Sequence, residues 1–342
     1  MRNKTSLMFV AALAVASGAQ AQVVLDGVAD KSYGPAVVVS NTQTAFGDAA
    51  QGLIDFAQGS ELDAGYAKIE DGFLYLMLAG NLESNFNKLE IFIDAVDGGQ
   101  NQIRGDNLDV DFNGLNRMGD DLATTKVVEG LTFDADFSAD IWVGVTCGGD
   151  PFGVYFNYAT MPTEGAGTGG YQGNGGAGAA GAATFKSGFG FGLDNSNVLG
   201  VGGGCELADG TGVSTGVEVR IPLSAIPGYK TGDLKVCAFI NGGGHDYLSN
   251  QVLGAIGGGC NLAEPRAVNF ESIPGSQYFV VSNSGGSNCP ADIDGNGTVD
   301  AADLSAVLGN WGGSGVGDLD GNGIVDAADL STILGAWGDC GA

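Results

Sequence analysis

Short hydrophobic segments recur along the chain from Val23 to about Ser282. "KLEIFID" (88–94) alternates apolar and polar positions with the period of two that is typical of a strand. "GFLYLMLAG" (72–80) is apolar on both faces, as in a fully buried strand. The same character is found in "ADIWVGV" (139–145), "FGVYFNYA" (152–159), "GVEVRI" (216–221), "LKVCAFI" (234–240) and "QYFVVS" (277–282). These segments are rich in β-branched and aromatic residues and are bounded by turn formers, so the pattern predicts a mainly β fold, an antiparallel β-sandwich.

Two glycine-rich stretches interrupt this pattern. Residues 164–183, "EGAGTGGYQGNGGAGAAGAA", have almost nothing to bury, so we expect a flexible surface loop. "SNSGGSN" (282–288) has the composition of a flexible linker. The chain therefore divides into a β-sandwich module (22–281), a linker (282–288) and a small C-terminal module (289–342).

In the C-terminal module the hydrophobic period becomes helical. Two sets of four apolar residues follow the spacing i, i+3, i+4 and i+7, which places each set on one face of a short helix. The sets are Leu304, Val307, Leu308 and Trp311, then Leu330, Ile333, Leu334 and Trp337. Each predicted helix ends at a Trp-Gly pair.

An acidic loop precedes each of these helices. "DIDGNGTVDAAD" (292–303) returns almost unchanged as "DLDGNGIVDAAD" (318–329). Oxygen ligands fall at loop positions 1, 3, 5, 7, 9 and 12, with glycine at the sharp turn of position 6, which is the pattern of a Ca²⁺ loop. The predicted ligands are Asp292, Asp294, Asn296, the Thr298 carbonyl, Asp300 and Asp303, and then Asp318, Asp320, Asn322, the Ile324 carbonyl, Asp326 and Asp329. At position 8, Val299 and Val325 can pair across the two loops.

The duplicated loop and helix closely resemble a type I dockerin, a small α-helical module with two EF-hand-like calcium loops. The resemblance covers 289–342 and implies two bound Ca²⁺ ions and a cohesin-like or other extracellular receptor protein as partner. Where that family contacts its receptor, this chain carries two pairs of alanines: Ala301, Ala302, Ala327 and Ala328. Dockerin termini lie close together, so the resemblance also implies a disulfide between Cys289 and Cys340.

The N-terminal module has a weaker resemblance to carbohydrate-binding family 9-like (DOMON-like) sandwiches. It is carried by "VLDGVADKSYGPAVVV" (24–39), "YAKIEDGFLYLMLAGNLE" (66–83) and "LEIFIDA" (89–95). That family grips sugars with aromatic side chains, and this module has one tryptophan, Trp142. "LDNSNVLGV" (193–201) and "GVEVRIPLSAI" (216–226) are similar to stretches of secreted proteins from planctomycete-type bacteria.

The N-terminus has the features of a secretion signal. Arg2 and Lys4 precede the apolar run "LMFVAALAVA", and Ala19-Gln20-Ala21 is a cleavage site, so we expect residues 1–21 to be removed. The expected location is extracellular or on a bacterial cell surface, without membrane insertion. In an exported chain the six cysteines predict disulfides, so Cys147, Cys205, Cys237 and Cys260 are expected to pair within the sandwich.

The charge balance narrows the range of partners. The chain has 13 basic and 40 acidic residues, for a net charge of −27. Such a surface repels nucleic acid and attracts divalent cations. Asp94, Asp97, Asp109 and Asp111 could form a further calcium site in the sandwich, although a solvated acidic loop is the favoured interpretation.

No catalytic motif is convincing. "GVSTG" (212–216) fits G-x-S-x-G but runs into a strand, and the only histidine, His245, is interpreted as a loop residue. We therefore expect a secreted, non-catalytic protein of polysaccharide degradation, in which the dockerin tethers a sandwich with a carbohydrate-binding role as one option. The alternatives are a structural cell-surface or matrix protein, and a β-sandwich glycoside hydrolase or lyase.

Overall fold

A computed structural model describes residues 23–47, 59–112, 114–121, 128–176, 180–198, 204–254, 256–283, 291–293, 298–313, 317–319 and 324–339. The expected signal peptide and most of the expected linker lie outside these residues. Among the described residues, no helix has the length and apolar character needed to cross a membrane.

The expected mainly β fold is confirmed, with two antiparallel sheets. The strands are β1 (Val38–Val39), β2 (Glu61–Glu70), β3 (Phe73–Asn81), β4 (Asn85–Asp94), β5 (Ile141–Gly148), β6 (Gly153–Thr160), β7 (Gly169–Gly175), β8 (Ala180–Thr184), β9 (Gly190–Asp194), β10 (Gly216–Pro222), β11 (Leu234–Asn241), β12 (Leu248–Val252) and β13 (Phe279–Val281). The first sheet has the order β1-β2-β3-β10-β9-β8. The second has the order β12-β11-β4-β5-β6-β7, and β13 also pairs with β11. A helical turn, α1 (Gly114–Arg117), and 3₁₀ turns at Lys31–Tyr33, Leu223–Ala225, Pro265–Ala267 and Phe270–Ser272 complete this module.

The alternation of β4 explains how the second sheet divides its side chains. Leu89, Ile91 and Ile93 point inward and pack in one core with apolar residues of the first sheet. Phe92 points outward into a second core, which also contains Trp142 and Phe239. The segments between β4 and β5 and between β12 and β13 contribute to this outer core and cover part of the sheet. The rest of the outer face, along β4 to β7, is left for the site described below.

The glycine-rich segment 164–183 is not a loop throughout, so that prediction is wrong. It contains β7 at one edge of the second sheet and β8 at one edge of the first. Backbone hydrogen bonds hold both strands, and main-chain pairing at a sheet edge requires no large side chain. Composition alone therefore could not exclude strands here.

The cysteines of the sandwich are only partly paired. Cys205 and Cys260 form a disulfide, as expected. Cys147 and Cys237 are buried thiols, so their expected pairing is wrong. Cys147 belongs to the core between the sheets and Cys237 to the outer core, and β4 separates their strands. Cys289 and Cys340 lie outside the described residues.

The C-terminal module contains two nine-residue helices, α2 (Ala301–Gly309) and α3 (Ala327–Gly335), and a short pair of strands, β14 (Thr298–Val299) and β15 (Gly338–Asp339). Its core consists of five buried residues, which are Ala291, Val299, Val307, Val325 and Ile333. Val299 pairs with Gly338 in the β14–β15 ladder, whereas the backbone of Val325 bonds to residues 312 and 313. The two valines therefore share the core without pairing their backbones.

The predicted helical faces are buried only in part. Each helix ends two residues before its tryptophan, so the expected termination at Trp-Gly is wrong. Leu308, Trp311, Leu334 and Trp337 are each about half exposed, at 52%, 49%, 57% and 51%. Helices this short bury one turn of the apolar face and leave the other turn accessible.

Candidate functional site: an aromatic cleft on the second sheet

The uncovered outer face of the second sheet carries a cleft of about 820 Å³. This volume lies within the range of ~300–1,000 Å³ that is usual for ligand pockets. Four aromatic side chains, Phe86, Phe112, Tyr155 and Tyr171, stand around it. Phe86 and Tyr155 contact each other, with ring centroids 6.2 Å apart.

The floor of the cleft is polar because alternate residues of the strands point outward. Lys88 of β4 lies opposite Thr146 of β5, and Thr146 lies opposite Tyr155 of β6. Asn157 of β6 lies opposite Tyr171 of β7. Lys88, Thr146 and Asn157 are almost completely buried at the base of the cleft, whereas the aromatic rims are accessible, with 57% exposure at Tyr171 and 101% at Phe112.

A network of buried hydrogen bonds lies beneath the cleft. The Trp142 indole donates to Glu90 at 2.7 Å, and the other Glu90 oxygen lies 2.6 Å from His245 Nδ1. His245 Nε2 lies 3.1 Å from Asp111 Oδ2, which also accepts from Lys88 Nζ at 2.8 Å. This network links the outer core to the two charged groups at the cleft, Asp111 and Lys88.

The charged side chains of this hydrogen-bond network stabilise one another. Burial lowers the pKa of His245, but the Glu90 charge and hydrogen bonds to Asp111 and Glu90 outweigh burial and raise that pKa to about 9. Burial acts to raise the pKa of Asp111, but contacts with His245 and Lys88 dominate and lower it. At neutral pH, His245 is therefore a cation between two carboxylates. The sequence-based interpretation of His245 as a loop residue missed this burial.

Backbone strain is concentrated at the same place. Of the six described non-glycine residues with positive φ, four line the cleft or lie beneath it: Phe86, Asp111, Phe112 and His245. Their φ values lie between 54° and 69°. Each costs on the order of 1 kcal/mol relative to ordinary backbone, and such residues are found preferentially at functional sites.

Two glycines allow the side chains of this hydrogen-bond network to pack closely. A Cβ at Gly144 would lie 2.5 Å from the Trp142 ring, and a Cβ at Gly114 would lie 2.5 Å from His245 Nε2. Larger residues at these positions would displace the side chains that hold Asp111 in place.

The structure describes eight of the twelve predicted calcium ligands in the C-terminal module. Asp294, Asn296, Asp320 and Asn322 lie outside the described residues. Asp303 is buried, and its two oxygens accept from the backbone N–H groups of Ile293 at 2.6 Å and Asp300 at 2.8 Å. Asp329 makes the same two contacts with Leu319 and Asp326, at 2.6 and 2.7 Å.

Asp300 and Asp326 have a second role at the helix starts. Each accepts from the backbone N–H two residues later, at 2.7 Å, and completes a capping box. Asp292, Thr298 and Asp318 are partly exposed, and Ile324 is exposed. The proposed partner-contact residues Ala301, Ala302, Ala327 and Ala328 are all exposed on the first turns of α2 and α3.

The acidic residues suggested as a sandwich calcium site do not come together. Asp94 lies 3.4 Å from Lys235, and Asp111 pairs with Lys88 at the other end of β4. Asp97 and Asp109 are exposed. Arg117, within the segment that mimics a calcium loop, pairs with Glu264 at 2.9 Å. Within the described ranges, no group of three or more His, Cys, Asp or Glu side chains is arranged to hold a metal.

No protein-family model, curated protein or solved structure matches the chain. The cleft was not predicted from the sequence, because the one tryptophan of this module, Trp142, is fully buried and the cleft is lined by phenylalanine and tyrosine. A usable signal was the alternation of Tyr155 and Asn157 on β6, which places both on one face.

Proposed function

We propose that the protein is a secreted, non-catalytic component of polysaccharide degradation, in which the sandwich binds a glycan and the C-terminal module binds calcium and tethers the protein to an extracellular partner. The cleft is the observation that supports glycan binding by the sandwich. Its aromatic rings surround a polar floor, and several of its residues have strained backbone conformations. A sugar ring has an apolar C–H face and a hydroxyl edge, so it can stack on the aromatic rims while its hydroxyls bond to the floor.

The charges in the cleft favour a neutral saccharide. Lys88 and Asp111 are paired at 2.8 Å, so the floor offers hydrogen-bonding groups but little net charge to an ionised sugar.

The same groups are poorly suited to hydrolysis or elimination. A glycosidase acid requires a carboxyl whose pKa is raised, whereas the pKa of Asp111 is lowered by His245 and Lys88. With a pKa of about 9, His245 is already protonated at neutral pH and cannot accept a proton from a substrate. This supports binding over the alternative of a glycoside hydrolase or lyase.

The duplicated C-terminal geometry supports the tether. Position 12 of each loop binds two loop amides through a buried carboxylate, and position 9 caps the following helix. Each helix begins with an exposed alanine pair, and each repeat also exposes a leucine and a tryptophan at or just beyond the other end of that helix. A cohesin-like receptor, or another extracellular protein, could bury these apolar groups.

Calorimetric titration of the full-length secreted protein with soluble β-glucan, xylan, mannan and pectin tests the glycan proposal. We expect binding of a neutral polysaccharide, weakened about tenfold or more by Tyr171→Ala and by Phe112→Ala. Tyr278→Ala is the matched control, because Tyr278 packs near Phe137 and Lys235, away from the cleft.

The outcome separates the three functions. Binding to none of the four polysaccharides would favour a structural cell-surface or matrix protein. Release of reducing ends, or of unsaturated products, would favour an enzyme.

A further inference from the structure

A pair of buried carboxylates lies at the start of β2, in the first sheet and outside the cleft. Glu61 and Asp63 have exposed fractions of 0% and 3%. Neither Glu61 oxygen has a hydrogen bond of normal geometry to any described residue. A buried carboxylate without donors is costly, because it has lost its water and gained nothing in return.

The surroundings of the pair supply oxygens. Asp63 is the extra residue of a β-bulge, and its Oδ2 accepts from Asn197 Nδ2 at 3.0 Å. Glu61 lies directly opposite Asn81 on β3, and Asn81 and Asn197 are hydrogen-bonded to each other. None of the ion pairs formed by described residues includes Glu61 or Asp63.

The two carboxylates of the pair interact electrostatically. The polar neighbours of Glu61 include the Asp63 carboxylate and the backbone amide of Thr44. The two acids are thus close enough to repel each other, and no described basic side chain compensates them.

Glu218 is a buried glutamate whose oxygens are satisfied by hydrogen bonds within the protein. Glu218 is also 0% exposed, but it accepts from the backbone of Asp26 at 2.9 Å, from Gly27 at 3.1 Å and from the Tyr33 hydroxyl at 2.5 Å. Three donors satisfy its two oxygens. Glu61 is buried to the same degree, but neither of its oxygens has a donor in normal hydrogen-bond geometry among the described residues.

We propose that Glu61 and Asp63 bind a calcium ion inside the sandwich, with neighbouring amide and backbone oxygens completing its coordination. Ca²⁺ accepts mixed carboxylate, amide and carbonyl oxygens in a flexible arrangement, so two carboxylates suffice. The ion would join β2 and β3 to the segment that contains Asn197. This site is separate from the two C-terminal loops and from the cleft.

The calcium content of the full-length protein tests the site. The C-terminal loops are disabled by Asp292→Ala with Asp318→Ala, and bound calcium is counted by elemental analysis after free ion is removed. We expect one ion per chain in this background, and none after Glu61→Gln or Asp63→Asn is added. A background protein that holds no calcium, or a count that neither substitution lowers, overturns the proposal.

Thermal unfolding of the sandwich gives a second readout. Calcium should raise the melting temperature of the background protein, and Glu61→Gln should remove this increase. In chelator, Glu61→Gln should melt at or above the temperature of the unsubstituted background, since an uncompensated acid has been neutralised. Glu218→Gln is the matched control and should lower the melting temperature equally in calcium and in chelator. The same behaviour from Glu61→Gln, with unchanged calcium content, would make Glu61 a structural acid without a metal.

Discussion

At the scale of single residues, His245 links the outer core to the cleft. Its imidazolium is held between Glu90 and Asp111, and its own backbone lies in the left-handed region, with φ of 54°. A neutral side chain at this position would leave two buried carboxylates without their shared partner. The ordering of Asp111 and Lys88 at the cleft therefore depends on one buried proton.

We predict a pH dependence of stability that His245 controls. The pKa of His245 is about 9 in the folded protein and about 6.5 when unfolded, so its contribution is fully present below about pH 6.5 and is lost as pH rises through 9. The contribution is at most on the order of 3 kcal/mol. Urea unfolding of wild type and His245→Gln from pH 6 to 10 should show the difference between them shrinking over this range.

The comparison with the variant is needed because other buried acids also titrate. Glu218 is an example, because burial raises its pKa to about 7 and its stabilising contribution is therefore also lost as pH rises. These contributions cancel in the difference between the two proteins. A difference that stays constant from pH 6 to 10 would contradict the role given to His245.

Residue-level function was the least predictable part of this chain. Phe86 and Phe112 are accessible, and the backbone at each adopts a positive φ, which no pattern of apolar residues encodes. Likewise, Glu61 and Glu218 are both glutamates within strand segments, and only their neighbours in space distinguish them. In contrast, seven strands (β3, β4, β5, β6, β10, β11 and β13) were predicted from short apolar or alternating segments, since such a pattern is a local property of the chain.

At the scale of elements, the C-terminal helices show that a periodic apolar pattern identifies one face of a helix but not how much of that face is buried. The apolar positions were identified correctly, but Val307 and Ile333 are buried while Leu308 and Leu334 are not. A nine-residue helix beside a five-residue core has too little partner surface to cover its whole apolar face. The exposed remainder is available to a second protein.

We predict that either repeat can dock the partner. Ala301→Arg with Ala302→Asp should weaken capture of the partner only slightly, because α3 presents the same surface as α2. The matched change at Ala327 and Ala328 should do the same, and the two together should abolish capture. Quantitative pull-down from the extracellular proteins of the source organism measures this. Complete loss from one pair alone would mean that the two surfaces are not equivalent.

At the scale of the whole molecule, the numbers of cysteines in disulfides and as thiols can be predicted. Cys205–Cys260 is a disulfide, and Cys147 and Cys237 are buried thiols. If Cys289 and Cys340 are joined as predicted, two of the six cysteines remain as thiols. Burial raises the pKa of the Cys237 thiol, which further suppresses its reactivity in the folded state.

We therefore predict that a thiol reagent labels no cysteine in the native protein and two in the denatured, unreduced protein. Peptide mapping should assign the two labels to Cys147 and Cys237. Four labels after denaturation, including Cys289 and Cys340, would show that the C-terminal disulfide does not form.

The final prediction concerns the different dependence of the two modules on calcium. The two loops carry eight aspartates, and residues 291–342 contain no Lys or Arg to compensate them. The core of five small or medium apolar residues cannot offset this repulsion alone, so metal binding should be coupled to folding. In chelator we expect α2 and α3 to lose protection from hydrogen exchange, while β3, β4 and β5 of the sandwich retain it. Asp292→Ala with Asp318→Ala should reproduce the chelated pattern in the presence of calcium. If α2 and α3 are equally protected with and without calcium, the loops do not bind metal and the basis for the tether is lost.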